Sequence, residues 1–118
     1  MRILVCEDEK DDADLYTAAL ESRGHEVVVA SDGEECLRKY YDNRSFGLVI
    51  LDFKVPLIDG FTIAKRIHHS DPSQRIIFAS ALAKEAIVDP NRELTTLFKL
   101  LPKPFEPDAL VEVVEYAG

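Results

Sequence analysis

The stretch Leu48-Val-Ile-Leu-Asp52-Phe-Lys-Val-Pro56-Leu-Ile-Asp59-Gly60 runs from four consecutive aliphatic residues into a carboxylate, and then into a loop punctuated by Pro56 and Asp59-Gly60. A strand with water on one side alternates polar and apolar residues. Leu48 to Leu51 do not alternate, so both faces of this strand are expected to be covered. That is the condition of a central strand in a parallel sheet flanked by helices. Asp52 then stands at the carboxyl end of the strand, where open α/β sheets bind their ligands. An acid at that point is a candidate reactive group, and the competing reading is an aspartate that only caps a turn.

The same strand-then-helix design extends outward in both directions. Arg2-Ile-Leu-Val-Cys6 reads as a strand ending on Glu7-Asp8-Glu9. Asp11 or Asp12 is expected to cap a helix with Ala13, Tyr16, Ala19 and Leu20 on one face, ended by Gly24 in a left-handed conformation. His25 to Ala30 reads as a second strand, and Ser31-Asp32-Gly33 leads into a helix with Cys36, Leu37, Tyr40 and Tyr41 along one stripe. After Asp59-Gly60 comes a helix with Phe61, Ala64 and Ile67 inward, stopped by Ser70-Asp71-Pro72. Arg75 to Ala79 is a fourth strand ending on Ser80. Residues 81–97 are less regular, and Asp89-Pro90 predicts a helix start near Pro90. Lys99-Leu-Leu101 reads as a fifth strand running into Pro102-Lys103-Pro104. Glu106-Pro107-Asp108 then opens a last helix with Leu110, Val113, Val114 and Ala117 as its stripe. The expectation is an α/β fold in one domain over residues 1–118: a five-stranded parallel sheet with right-handed crossovers and helices on both faces.

Acidic side chains outnumber basic ones by 22 to 14, for a net charge of -8. This argues against direct binding to nucleic acid or an anionic membrane and favours a basic partner. Cys6 and Cys36 have neither metal-ligand nor CxxC spacing, and are expected to be buried reduced thiols. The apolar run after Met1 is cut by Glu7 and Asp8, too short for a signal peptide, and no stretch reaches membrane-spanning length. The expected location is the cytoplasm. His68-His69 close a helix, where cationic side chains suit the helix dipole, so a solvated role is expected rather than a metal or phosphohistidine site. His25 and Tyr40-Tyr41 read as structural.

Four of the five strands end in groups able to hold a metal or a phosphoryl group: Glu7-Asp8, Asp52, Ser80 and Lys103. Carboxylates that converge in one crevice repel one another unless a cation sits among them. Magnesium suits an acidic pocket without His or Cys, because it takes oxygen ligands and uses only one or two carboxylates alongside water and phosphate oxygens. Lys103 offers a point charge for an anion, and Ser80 a neutral donor.

The ordered set Glu7-Asp8, Asp52 with Pro56 and Asp59-Gly60, Ser80-Ala81 and Lys103-Pro104-Phe105 resembles the response-regulator receiver domains of two-component signalling, over essentially the whole chain. The resemblance implies a flavodoxin-like, doubly wound sheet in the order 2-1-3-4-5, a strand order that general accounts of α/β folds illustrate with a relative of this family. It implies Asp52 as the nucleophile that takes a phosphoryl group from a sensor histidine kinase, a histidine phosphotransfer protein or a small acyl phosphate. It further implies Mg2+ ligated by Asp8 directly, by Glu7 through water, by Asp52 and by the Lys54 carbonyl. Lys103 and Ser80 would neutralise and bind the phosphoryl oxygens, with Lys103-Pro104 in the cis form. The output partner or domain is left unnamed, and the chain is read as catalysing only its own phosphorylation and dephosphorylation.

Two positions depart from the family pattern. The aromatic residue usual three positions before the lysine is replaced by Leu100, and a small or glycine-containing turn before the fifth strand by Leu94-Thr-Thr-Leu-Phe98. Competing readings are a degenerate receiver that serves only as an interaction module, and a magnesium-dependent aspartyl phosphatase of the haloacid dehalogenase type. The second expects an acid two residues after the nucleophile, where this chain has Lys54.

Overall fold

Successive side chains of a strand point to opposite faces, and in this protein the two faces carry two separate apolar layers. In the computed structural model, which describes residues 1–42, 45–52, 56–80, 99–102 and 106–116, the chain forms β1 (Arg2–Cys6), α1 (Lys10–Glu21), β2 (Glu26–Ala30), α2 (Gly33–Asp42), β3 (Leu48–Leu51), α3 (Gly60–Ser70), β4 (Ile76–Ser80), β5 (Lys99–Pro102) and α4 (Pro107–Tyr116). Leu4, Cys6, Val49, Leu51, Ile76 and Phe78 pack with Cys36, Leu37 and Tyr40 of α2 and Ile63, Ala64 and Ile67 of α3. Ile3, Val5, Leu48, Ile50, Ile77, Ala79 and Leu101 pack with Tyr16 and Leu20 of α1 and Leu110 and Val114 of α4. The unalternating run at β3 is buried along its whole length as expected.

The sheet is parallel with five strands in the order β2-β1-β3-β4-β5. Placing β1 beside β3 sets Cys6 opposite Leu51, so the residues that follow each strand emerge next to each other. β4 pairs with β5 through Ser80 opposite Pro102.

Local signals account for most helix starts. Asp59 caps α3, its Oδ1 accepting from the Thr62 amide at 2.9 Å and its Oδ2 from the Thr62 hydroxyl at 3.1 Å, an arrangement typically contributing about 1 kcal/mol. Asp32 does the same for α2, accepting from the Glu35 amide at 2.8 Å, while the Glu35 carboxylate accepts from the Ser31 amide at 3.1 Å. α1 differs from expectation: it begins at Lys10 with Glu9 at the cap position and no side-chain cap bond, and Asp11 and Asp12 fall in its first turn. There they still favour the helix through its dipole. Phe61 packs inward as expected, half-buried against Phe78, and Ile63 joins it as a fully buried side chain of the first turn of α3. Gly24 has a φ of 87° as expected. The expected helix start near Pro90, the cis Lys103-Pro104 bond and Ala117 lie outside the described residues.

Candidate functional site

The acid site is built from the ends of β1 and β3. The Asp52 amide donates to the Cys6 carbonyl at 3.0 Å, which extends the β1–β3 ladder one residue past the strand and fixes where Asp52 begins. On the other side of β1, the Glu7 amide donates to the Ala30 carbonyl at 3.0 Å. Glu7 is thus held between the two neighbouring strands, and with 2 % exposure it is one of few buried ionisable side chains among the described residues. Its Oε2 accepts from the Glu9 amide at 3.3 Å, at the entrance to α1. Asp8 is exposed and Asp52 half-buried.

The result is that Glu7, Asp8 and Asp52 each bring a carboxylate oxygen within 4.8 Å of the others. Such a group offers oxygen ligands alone, and Cys6 Sγ is engaged with the Asp32 carbonyl at 3.8 Å. A set of hard donors with one solvent-exposed member fits a hydrated divalent ion such as Mg2+. Three anionic side chains at this spacing, without one, repel.

Of the other residues singled out in the sequence, Ser80 ends β4 at the same carboxyl edge of the sheet. Lys54 and Lys103 lie outside the described residues. His68 and His69 occupy the last turn of α3, away from the acid group. His25 is structural in the sense expected: its Nδ1 lies 2.9 Å from the Met1 amino group and its Nε2 3.7 Å from Glu115 on α4.

Two features of the rim went unread in the sequence. Gly33 reads in the sequence only as a helix lead-in, yet its amide donates to the Pro56 carbonyl at 3.0 Å, and a Cβ on it would lie 2.5 Å from the Ile58 carbonyl oxygen and 2.6 Å from Ile58 Cβ. The start of α2 therefore docks directly on the loop after Asp52, and only glycine allows the approach. Leu57, in that loop, has a φ of 75° and is 71 % exposed. The Ile58 amide bonds back to the Pro56 carbonyl at 2.9 Å, closing a tight turn around it. No local signal marks an aliphatic residue for that conformation, which favours Gly or Asn.

Cys6 and Cys36 are both free and buried. A hydrogen bond with Cys36, then burial, then the charges of Asp52 and Asp32 push the Cys6 thiol far above its ordinary range, so it stays protonated.

The sequence of residues 3–115 matches the model of the response regulator receiver domain. The chain belongs to that family. Among its relatives, the receiver domain is 31 % identical to the response regulator receiver protein CpdR of Brucella abortus, over 97 % of this chain and 93 % of that protein. It is 35 % identical to the transcriptional regulatory protein DltR of Streptococcus agalactiae over 94 % of its own length but 49 % of DltR, so it spans about half of that longer regulator. Among solved structures it is similar to the response regulator TrrA of Thermotoga maritima in complex with Mg2+ and BeF, with a TM-score of 0.85 and 31 % identity over 98 % of this chain and 96 % of that one. Receiver domains are modules of two-component signalling, and the strand order seen here is the one expected of the family. Among the described residues, no helix is long and apolar enough to cross a membrane.

Proposed function

We propose that this receiver domain is a phosphoacceptor whose nucleophile is Asp52. The observation that carries the reading is the convergence of Glu7, Asp8 and Asp52 within 4.8 Å, at the carboxyl edge of the sheet. A carboxylate oxygen of Asp52 attacks the phosphorus of a phosphohistidine on a sensor histidine kinase or histidine phosphotransfer protein, or of a small acyl phosphate. The bond to the donor breaks, and an aspartyl phosphate remains. Such transfer asks the protein chiefly for in-line positioning and charge neutralisation. Asp8, Glu7, Asp52 and the Lys54 carbonyl are the groups that would hold Mg2+, which supplies neutralisation of the phosphoryl oxygens when bound. Lys103 is assigned to those oxygens as a fixed cation and Ser80 as a hydroxyl donor. The buried, doubly tethered Glu7 keeps the floor of the site rigid while Asp8 faces water.

In this reading the module turns over no external substrate beyond its own phosphorylation and dephosphorylation. It works in the cytoplasm, at no membrane and on no nucleic acid, and passes its state to an output domain or partner. The similarity to a receiver captured with Mg2+ and BeF supports the ion and the phosphoryl site. The decisive comparison is intact mass after incubation with magnesium and acetyl phosphate. A single phosphoryl adduct that depends on magnesium is expected. No adduct favours the degenerate interaction module, and steady release of inorganic phosphate from unrelated phosphoesters favours the phosphatase.

A further inference from the structure

One backbone oxygen in the loop after Asp52 accepts two hydrogen bonds: the Pro56 carbonyl takes the Gly33 amide at 3.0 Å and the Ile58 amide at 2.9 Å. Three features fix that turn. Pro56 has its φ set by its own ring. Leu57 is held at a φ of 75°, a conformation that a leucine keeps only where its surroundings impose it. Gly33 comes so close that a Cβ on it would stand 2.5 Å from the Ile58 oxygen. Burial does not account for these constraints, since Pro56 and Leu57 are both exposed.

The helix that supplies the Gly33 amide is itself firmly held. Asp32 caps it by accepting from the Glu35 amide at 2.8 Å, and the Asp32 carbonyl accepts from the Cys36 amide at 3.0 Å and lies 3.8 Å from Cys6 Sγ. Cys36, Leu37 and Tyr40 bury its inner face. Cys6, through its own carbonyl, also holds the Asp52 amide. The loop therefore leaves the sheet at a fixed residue, Asp52, and is fastened again at Pro56 to a helix that rests on the same strand end. Residues 53–55 lie between the two fastenings, and Lys54 is among them.

We propose that Gly33 is a positioning residue for the ion site: by carrying no side chain it lets its amide hold the Pro56 carbonyl, which sets the far end of the segment bearing Lys54 relative to Glu7, Asp8 and Asp52. The proposal rests on the reading of those carboxylates and the Lys54 carbonyl as magnesium ligands. Magnesium demands near-ideal octahedral geometry, so its ligand set loses affinity when a supporting segment moves by more than about 0.5 Å. A methyl group on Gly33 forces loop and helix apart by roughly 1 Å before ordinary contact is reached.

The test compares magnesium binding by the wild type, Gly33→Ala and Gly24→Ala, titrated calorimetrically at a temperature where circular dichroism shows each of them folded. Gly24→Ala is the control: its φ of 87° strains any side chain, with no neighbour within 4 Å, so it weakens the fold before β2 and away from the acids. Gly33→Ala should bind magnesium about tenfold more weakly, and Gly24→Ala as tightly as the wild type. A second measurement needs no variant. Coupling is reciprocal, so if the bond from Gly33 to Pro56 raises ion affinity, bound ion strengthens that bond by a similar factor. Saturating magnesium should slow hydrogen exchange of the wild-type Gly33 amide about tenfold more than that of the Gly47 amide, which donates to the Arg2 carbonyl at 2.8 Å beside the other end of β3.

Equal affinity in the wild type and Gly33→Ala, equal losses in both variants, or equal slowing at Gly33 and Gly47 would each overturn the proposal, and the exchange result alone decides if either variant does not fold. No magnesium binding by the wild type would remove the reading of the ion site itself, and the proposal with it.

Discussion

The amide of Asp52 is bonded to the carbonyl of Cys6 at 3.0 Å, which puts the acid after β3 beside the acids after β1. Because that hydrogen bond extends the backbone ladder, the placement of Asp52 beside the end of β1 is a property of the sheet. Repulsion is therefore built into the metal-free fold. Replacing Asp52 with Asn keeps the shape and removes one charge, and should stabilise the metal-free protein by roughly 1–3 kcal/mol at an effective dielectric typical of partly buried pairs. Magnesium should raise the midpoint of the wild type by mass action and that of the variant less. Thermal denaturation with and without the ion checks this; identical curves for both proteins in both conditions would remove the repulsion argument.

Gly33 should not tolerate a side chain. A methyl group there meets the Ile58 carbonyl oxygen and Cβ at 2.5 and 2.6 Å, and neither can move without moving the loop. Gly33→Ala is expected to cost about 1–3 kcal/mol in urea unfolding, despite the usual preference for Ala over Gly in a helix. A neutral or stabilising result would mean that α2 can shift away from the loop freely.

The opposite outcome is expected at Leu57. Its φ of 75° is unfavourable for a bulky L side chain, and its exposure means that little burial is lost on replacement. Leu57→Asn should stabilise by about 0.5–1 kcal/mol, measured by the same urea titration. A loss of stability would show that the leucine side chain packs more than its exposure indicates.

At the far end of the molecule, Arg23 clamps Glu115 of α4 through two hydrogen bonds, of 3.0 and 2.9 Å, with His25 Nε2 3.7 Å away. The Arg23 hydrogen bonds, helped by its charge and by His25, hold the Glu115 carboxyl below its ordinary value of 4.5, against a smaller opposing effect of burial. A lowered folded value contributes stability that is fully present above 4.5 and lost as pH falls through the folded value. Arg23→Gln should therefore melt below wild type at neutral pH, and the gap should close as the pH drops beneath that range. Melting curves from pH 7 down to about pH 3 test the sign; a gap that is constant or widens in acid contradicts it.

How far the sequence carried differed between local and distant features. The apolar run at Leu48 to Leu51, the acid pair at Glu7-Asp8 and the helix after Asp59-Gly60 are each read from a few consecutive residues, and each stands where expected. The start of α1 was misplaced because Glu7, Asp8, Glu9, Asp11 and Asp12 all have the chemistry of a helix start, and pattern alone does not choose among them. The fit of Gly33 against Ile58 and the Arg23–Glu115 clamp are contacts between segments far apart in the chain, set by how elements pack. No spacing rule announces them. The family resemblance supplied the strand order, and with it the meeting of Glu7, Asp8 and Asp52, which local patterns leave open.

Lifetime of the phosphoryl group is open to prediction from the sequence. The family resemblance implies that Lys54 and Leu82, two positions after Asp52 and Ser80, border the path of the attacking water. Neither is an acid or amide able to orient that water. The aspartyl phosphate is expected to decay slowly for a receiver, and faster in Leu82→Glu or Lys54→Asn. Decay rates unchanged in both variants would move the control of hydrolysis elsewhere.

The claim on which the rest depends is that Asp52 itself carries the phosphoryl group. Borohydride reduction of an aspartyl phosphate leaves homoserine at the phosphorylated position, so mapping the reduced peptides after incubation with magnesium and acetyl phosphate locates the acceptor directly. Homoserine at position 52 in the wild type, with none anywhere in Asp52→Asn, is the predicted result. Homoserine at position 8 or another acid in the wild type, or no homoserine at all under conditions where the chain is folded and magnesium is present, would contradict it.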